Sequence, residues 1–296
     1  MDSVPAPEVE ISAELVRGLL ADQQPDLAEL SLVEFASGWD NVLFRLGEDW
    51  IVRLPRRAVA AQLVLHEQRW LPSLAERLPL PVAAPVRFGA PGRGYPWSWS
   101  LCPWFEGEIA VRASFDSERV AREMGHFLCT LHHPAPADAP DNEVRGVPLV
   151  DRANAFESRI TALAEVLDTP TLDTLRAHWA NALAAPVYDG PPLWLHGDTH
   201  PANILIRNER IAAILDFGDI TSGDPASDLA TAWMLLPPES RPTFRAAAGG
   251  PDDATWIRAR GWATHYATTF LATSADSPDM HQLAIKTVRN LRADPT

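Results

Sequence analysis

Lysine is almost missing from this chain. Of 296 residues only Lys286 is a lysine, and arginine supplies every other strongly basic side chain. A Walker A phosphate loop needs lysine directly after glycine, and Lys286 has no such context, so a P-loop NTPase is excluded. No Gly-x-Gly-x-x-Gly occurs either, which leaves a Rossmann dinucleotide site without support. Cysteine is scarce. Cys102 and Cys129 lie in different segments and match neither a zinc spacing nor a disulfide framework, so a reducing, cytoplasmic setting is expected. No apolar run reaches the length of a bilayer span. The start, MDSVPAPEVE, is acidic and lacks the apolar stretch of a signal peptide. No membrane partner is expected.

Positive charge is in deficit as well. The formal net charge is −14, which argues against nucleic acid as a partner. Its distribution is uneven. Residues 51–100 hold seven arginines against two glutamates, whereas residues 101–200 hold fifteen carboxylates against seven arginines. The basic block suits an anionic ligand, unless surface charge merely scatters. The acidic block suits a cationic one, because clefts of one sign concentrate ligands of the other.

What the chain has is ordinary apolar content, 46%, and enough length for two lobes. ISAELVRGLLADQ reads as a helix capped by Ser12. LSLVEF, VLFRL and WIVRL read as short strands, with GED turning the chain between the second and third. Residues 58–78 have helical period, with Pro72 breaking it. WSWSLCPW alternates as a strand. After FEGE the character changes: helices are expected near 117–132, 152–166, 171–185, 226–236, 252–272 and 278–292. They are interrupted by the short strands LWL, NILI and AAIL. The fold class is α+β, with a β-rich N-lobe over residues 1–104 and a mostly helical C-lobe over 105–296. The boundary falls near Trp104–Gly107.

The chemistry collects in WLHGDTHPANILIRNERIAAILDFGD, residues 194–219. Asp198 follows the strand LWL. Asn203 lies five residues on, and Asp216 ends the strand AAIL. RNER can turn the chain so that NILI and AAIL pair as a hairpin. Asn203 and Asp216 then share its open end. An amide oxygen beside a carboxylate suits Mg²⁺, a hard ion that keeps waters and takes oxygens from a substrate phosphate. Asp198, on the neighbouring loop, can accept a proton from an attacking hydroxyl. A base followed by two metal ligands is the order that phosphoryl transfer needs.

The spacing from Asp198 to Asn203 resembles the catalytic loop of protein kinases, and DFGD contains their metal-binding Asp-Phe-Gly. HGDTHPAN carries Gly197 where protein kinases carry arginine. That variant, followed by ILDFGD and GDPASDLA, resembles the aminoglycoside and macrolide phosphotransferase family. The resemblance covers most of the chain and implies a protein-kinase-like two-lobed fold. It implies a kinase that moves the γ-phosphate of ATP or GTP to a hydroxyl of an antibiotic such as an aminoglycoside or macrolide. It makes Asp198 the base, and Asn203 and Asp216 the Mg²⁺ ligands. ASGWDN, with Ser37, Gly38 and Asn41, fills the place of the phosphate-covering loop. Arg53 stands where the phosphate-pairing lysine is expected. Glu67 fills the place of that residue's ion-pair partner. Leu101–Trp104 fills the hinge that meets the nucleotide base.

Other residues read two ways. His196 suits packing in place. His200 touches substrate or holds its loop, and Asp219 assists the metal or steadies the turn. Asp224 and Asp228 suit a helix start. Three rival readings follow. A metal-dependent phosphoesterase would cluster His196, Asp198 and His200 on a metal, but no Gly-Asn-His accompanies them. A non-catalytic nucleotide-binding protein would not need Asp198, Asn203 and Asp216 together. A kinase of a small metabolite alcohol, choline- or homoserine-like, uses the same machinery. The acidic 101–200 block favours a cationic acceptor.

Overall fold

The computed structural model describes residues 6–294. Helix α1 (Ala13–Gln23) starts where the Ser12 hydroxyl accepts the Leu15 N–H, an N-cap as the sequence predicts. Strands β1 (Leu32–Ser37), β2 (Asn41–Leu46) and β3 (Trp50–Pro55) follow. In β2, Val42, Phe44 and Leu46 are buried and their neighbours are not, the alternation of a half-buried strand. Helix α2 (Ala58–Ala75), β4 (Arg87–Gly89) and β5 (Trp99–Pro103) complete this part. The strands form an antiparallel sheet of order β1-β2-β3-β5-β4. One cluster of apolar side chains joins Leu19 and Leu20 of α1 to Phe44, Val52, Trp99 and Leu101 of the sheet.

Pro72 does not break α2; it lies inside the helix. It falls in the last turn, between Leu71 and Leu74, which are both buried. Burial of those side chains in the second core holds the turn despite the missing N–H.

Past Pro103 the chain pairs briefly as β6 (Glu108–Ile109), then forms α3 (Ser117–Leu131), α4 (Ala153–Leu163) and α5 (Thr169–Ala184). Strands β7 (Leu193–Leu195), β8 (Ile204–Arg207), β9 (Arg210–Ile214) and β10 (Thr221–Gly223) follow. The helix expected over 226–236 is two, α6 (Ala226–Leu229) and α7 (Thr231–Leu235). Near the break, the Asp228 carbonyl accepts the Thr199 hydroxyl at 2.9 Å. Helix α8 (Arg241–Ala247) escaped the periodicity because it is so short. Helices α9 (Asp253–Thr273) and α10 (Pro278–Arg292) close the fold. A second, larger core gathers α3, α5, α9 and α10 around β8 and β9, and takes in Leu71 and Leu74 from α2. The β-rich N-terminal part and helical C-terminal part agree with the α+β expectation.

The hairpin forms as its sequence predicts. Ile204 pairs with Ile214, and Asn208 and Glu209 turn the chain with φ of 52° and 60°. Two consecutive positive φ angles are the signature of the tight turn that matches strand twist. The Leu215 N–H donates to the Asn203 carbonyl at 2.8 Å. Asn203 and Asp216 therefore leave the hairpin at the same end.

Candidate active site

The loop that carries Asp198 is held from beneath by a buried carboxylate. Asp228, fully buried at the end of α6, accepts the N–H of His196 at 2.8 Å and of Gly197 at 3.0 Å. A carboxylate on two backbone donors satisfies groups that would otherwise be costly to bury. His196 is spent in the same way. Its Nδ1 accepts the Asp198 N–H at 3.1 Å, so its proton sits on Nε2 and is donated to the Leu215 carbonyl at 2.9 Å. The ring packs on Phe217, 4.2 Å between centroids. Both ring nitrogens are engaged, so the packing role expected of His196 is the one observed. Among the described residues, no group of three or more His, Cys, Asp or Glu side chains is placed to hold a metal. The phosphoesterase cluster of His196, Asp198 and His200 does not form.

Gly197 explains its own identity. It adopts φ +85°, and a Cβ there would stand 2.2 Å from the Asp219 carbonyl oxygen. No L side chain fits that approach. Gly197→Ala is expected to destabilise the protein by roughly 1–3 kcal/mol from backbone strain and to lower turnover by displacing Asp198. Thermal unfolding and steady-state kinetics measure both. An unchanged Tm would contradict the close packing of the two loops.

Asp198 is flanked by two basic side chains. Arg145 Nη2 lies 3.1 Å from its Oδ1 and His200 Nε2 lies 3.2 Å from its Oδ2. Burial raises the proton affinity of Asp198, but His200 and Arg145 outweigh it and hold the carboxyl well below the usual range. His200 is nearly buried. Its Nδ1 accepts the Ala202 N–H at 3.2 Å, which leaves the Nε2 proton facing Asp198. Burial lowers the proton affinity of His200, and Asp198 raises it by more. The Ala202 N–H opposes full protonation, but in either state a proton on Nε2 faces Asp198. His200 thus holds its loop and the aspartate together.

Asn203 Nδ2 donates to the Asp198 carbonyl at 3.0 Å, which leaves its amide oxygen as the end available to a cation. Asp216 takes φ +57°, an uncommon conformation for a residue with a side chain. Its Oδ1 accepts from Arg53 Nη2 at 3.0 Å, and the side chain is half-exposed. One amide oxygen and one free carboxylate oxygen suit Mg²⁺, which needs few protein ligands when phosphates and waters complete its shell.

Arg53 forks. Nη1 reaches Glu67 Oε1 at 2.8 Å while Nη2 reaches Asp216. The pairing with Glu67 forms with arginine in place of lysine. Burial opposes the charge of Arg53, but Glu67 and Asp216 more than offset that, and the guanidinium holds its proton more tightly than usual. For Glu67 burial dominates, and its proton affinity is raised despite Arg53. The contact from Arg53 to Asp216 crosses from β3 to the loop after β9. Asn41, Glu67, Asp198, Asp216 and Asp219 line one cleft.

The remaining expected residues are more dispersed. Ser37 ends β1 and Gly38 begins the β1–β2 turn, where Arg56 Nη1 donates to the Ser37 hydroxyl at 3.1 Å and the Gly38 carbonyl at 2.8 Å. Part of the basic block therefore shapes this loop. Leu101 is buried in the first core, and its carbonyl accepts the Val86 N–H at 2.9 Å. Trp104 donates its backbone N–H to the Asp49 carbonyl at 2.8 Å and its indole N–H to Glu106 Oε1 at 2.6 Å, and its ring meets Phe35 edge-on and Arg45 face-on. Asp219 Oδ1 accepts from Asn142 at 2.8 Å, and Oδ2 lies 3.7 Å from Arg145. It is tied to the loop around residues 142–145 and also lines the cleft with Asp198 and Asp216. Asp224 pairs with Arg258 at 2.7 Å and accepts the Ala226 N–H, the helix-start role expected of it. Asn142 and Arg145 had no signal in sequence, because they come from an irregular loop far along the chain from Asp198.

The phosphotransferase enzyme family model APH matches residues 31–262. This chain belongs to that family. No curated protein sequence matches it. Solved structures share the fold. The wild-type aminoglycoside 2'-phosphotransferase-IIIa in its GDP complex superposes with TM-score 0.70 at 19% identity, covering 96% of this chain and 99% of that one. Macrolide 2'-phosphotransferase MphH from Brachybacterium faecium, an apoenzyme, gives 0.61 at 21% identity, with 96% and 99% covered. The streptomycin–ATP–APH(2")-IIa ternary complex gives 0.60 at 17% identity, with 92% and 94% covered. As a member of this phosphotransferase family the chain is an enzyme, and its lobes are the kinase-like pair that the motifs predict.

Proposed function

We propose that this phosphotransferase moves the γ-phosphate of ATP or GTP to a hydroxyl of a small molecule. One observation carries the reading: Arg53 on the sheet joins Asp216 at 3.0 Å, beside Asp198 in the same cleft. A phosphate-gripping cation, a metal ligand and a proton acceptor thereby converge from distant parts of the chain. In this reading residues 1–104 hold the nucleotide, and residues 105–296 carry the catalytic loop and the acceptor.

Each side chain has a part. The acceptor hydroxyl oxygen forms a bond to the γ-phosphorus as the bond to the bridging oxygen breaks, and the nucleoside diphosphate leaves. The hydroxyl proton passes to an Asp198 oxygen. Because His200 and Arg145 hold Asp198 ionised, it orients the hydroxyl first and takes the proton late, when the oxygen has become acidic. The Asn203 amide oxygen and Asp216 would hold Mg²⁺, which supplies positive charge to the phosphate oxygens. Arg53 meets the phosphates from the sheet side, and the Ser37–Asn41 turn covers them. The Trp104 end of β5 receives the base.

Arg53 makes a test of its own. Arg53→Lys keeps a charge but cannot reach Glu67 and Asp216 in a fork. Loss of one charge-assisted bond, about 1.5–3 kcal/mol, lowers kcat/KM by roughly 10- to 100-fold. Triphosphate binding should fall with it, and nucleoside binding should not. Wild-type kinetics in Arg53→Lys would show that any cation suffices.

The acceptor is the open part. Hydroxyl-rich cations such as aminoglycosides are natural first probes, since one solved relative holds streptomycin with ATP. The acidic charge of residues 101–200 offers less support than its total suggests. Asp116 and Asp168 cap helices, Glu123 accepts the Ile211 N–H, and Asp138 pairs with Arg69. A nucleotide-consumption screen over aminoglycosides, macrolides, small metabolite alcohols and anionic polyols tests the transfer. Nucleotide turnover unaffected by every acceptor would count against the reading.

A further inference from the structure

Basic side chains gather beside Asp198, although the segment that supplies them is acidic in sum. Arg145 stands over the Tyr266 ring at 5.1 Å and touches Asp198. Arg152 precedes α4, and Arg159 lies two turns along it. Both are close enough to each other and to Arg145 for their charges to interact. Helix α4 packs on α9, which carries His265 and Tyr266.

These arginines have no anion of their own. Among the described residues neither Arg152 nor Arg159 has a carboxylate within ion-pair distance, whereas Arg145 has two. Arg152 Nε and Arg159 Nη1 are buried without a hydrogen-bond partner, and so is His265 Nδ1. His265 is only 2% exposed. The charges act on one another. Burial and then Arg145 lower the proton affinity of Arg152, and burial, Arg152 and Arg145 lower that of Arg159. Burial and the same three arginines push His265 down to about 2.

Such an arrangement disfavours folding. Like charges repel, and buried donors left unmade are costly. Packing alone would be served better by leucine at both arginine positions. An oxyanion beside them would satisfy the free donors and relieve the repulsion, as arginine pairs do for carboxylates and phosphates. The neighbouring carboxylates Asp151 and Glu157 are exposed; Asp151 offsets the charge of Arg152 only in part, less than burial and Arg145 oppose it, and forms no ion pair with it.

We propose that Arg152 and Arg159 form an anion subsite on the acceptor side of the cleft. The acceptor is then a hydroxyl-bearing molecule that carries a carboxylate or phosphate group. Its anionic end lies against α4, and its hydroxyl lies at Asp198. Arg145, between the two, screens that end from the nucleotide phosphates. This inference rests on the kinase reading of Asp198 and adds the charge of the acceptor to it.

The test uses the full-length protein saturated with Mg²⁺ and ADP, so that the nucleotide phosphate positions are filled. Binding of gluconate, glucose 6-phosphate, glucose and kanamycin is measured by calorimetry at constant ionic strength. Gluconate or glucose 6-phosphate should bind more tightly than glucose or kanamycin, and the comparison of the two shows whether carboxylate or phosphate is preferred. Arg152→Gln and Arg159→Gln should each weaken that binding by roughly 10-fold or more, with ADP affinity retained and Tm of the unliganded protein unchanged or raised. No preference for the anionic probes, or glutamine variants that bind them as the wild type does, would overturn the subsite. The two readings fail separately. Anion binding lost in the variants, but with no acceptor ever phosphorylated, keeps the subsite and defeats the kinase reading. Phosphorylation of kanamycin at rates unchanged by both substitutions keeps the kinase and defeats the subsite.

Discussion

Asp198→Ala is expected to lower kcat by roughly 10²–10⁴-fold from the loss of a proton acceptor, and by more if the acceptor hydroxyl loses its alignment. Affinity for the Mg²⁺–nucleotide should change little. Asp198 faces Arg145 and His200, whereas Asn203 keeps its oxygen and Asp216 its free carboxylate oxygen for the cation. Removing the Asp198 carboxylate also frees Arg145 and His200 from their partner, so a small change in Tm will accompany the loss. Asp198→Asn keeps the shape and one accepting oxygen, but its NH2 must face a donor, Arg145 or His200, so kcat falls and Tm is expected to drop modestly as well. Turnover near wild type in both variants would remove Asp198 from the chemistry.

Asp216→Asn should fail differently. The carboxylate neutralises part of Arg53, at 3.0 Å, and offers its other oxygen to the cation. Asparagine keeps a ligand oxygen and loses the charge. Nucleotide affinity should therefore fall in the presence of Mg²⁺ and change much less in its absence, with kcat lowered as well. The backbone at Asp216 has φ +57°, and asparagine tolerates that conformation as aspartate does. The fold should stand. A Mg²⁺-dependent affinity equal to the wild type, with kcat reduced, would contradict its role as a ligand.

These residues were legible in the sequence because the chemistry is local. Asp198, Asn203 and Asp216 sit within one loop and one hairpin, and RNER supplied a turn whose geometry fixes their common end. Strands and long helices were legible from their period. Arg145 was not, since its contact with Asp198 spans 53 residues and starts in a loop with no period at all. Asp228 reads as a helix-start residue, yet its carboxylate accepts the His196 and Gly197 N–H groups of the loop that carries Asp198, a contact set by tertiary packing. Pro72 misled because local propensity was overridden by the burial of Leu71 and Leu74. Helix α8 was too short for its pattern to stand out, and the break between α6 and α7 left no mark in sequence. Charge was the least legible property. A sum over residues 101–200 is acidic, while Arg145 of the same stretch stands 3.1 Å from Asp198, and Arg152 and Arg159 interact with its charge without a carboxylate partner of their own among the described residues. Formal charge counts carboxylates that cap helices and bind surface arginines, and says nothing about where each one points.

Phosphoryl transfer itself is tested most directly by following a labelled γ-phosphate. The wild-type protein is supplied with Mg²⁺, ATP or GTP carrying the label, and the acceptor panel above, and the products are separated. The predicted result is label in a phosphate monoester of an acceptor hydroxyl, dependent on Mg²⁺ and lost in Asp198→Asn. Label released only as inorganic phosphate, whatever acceptor is present, would contradict it.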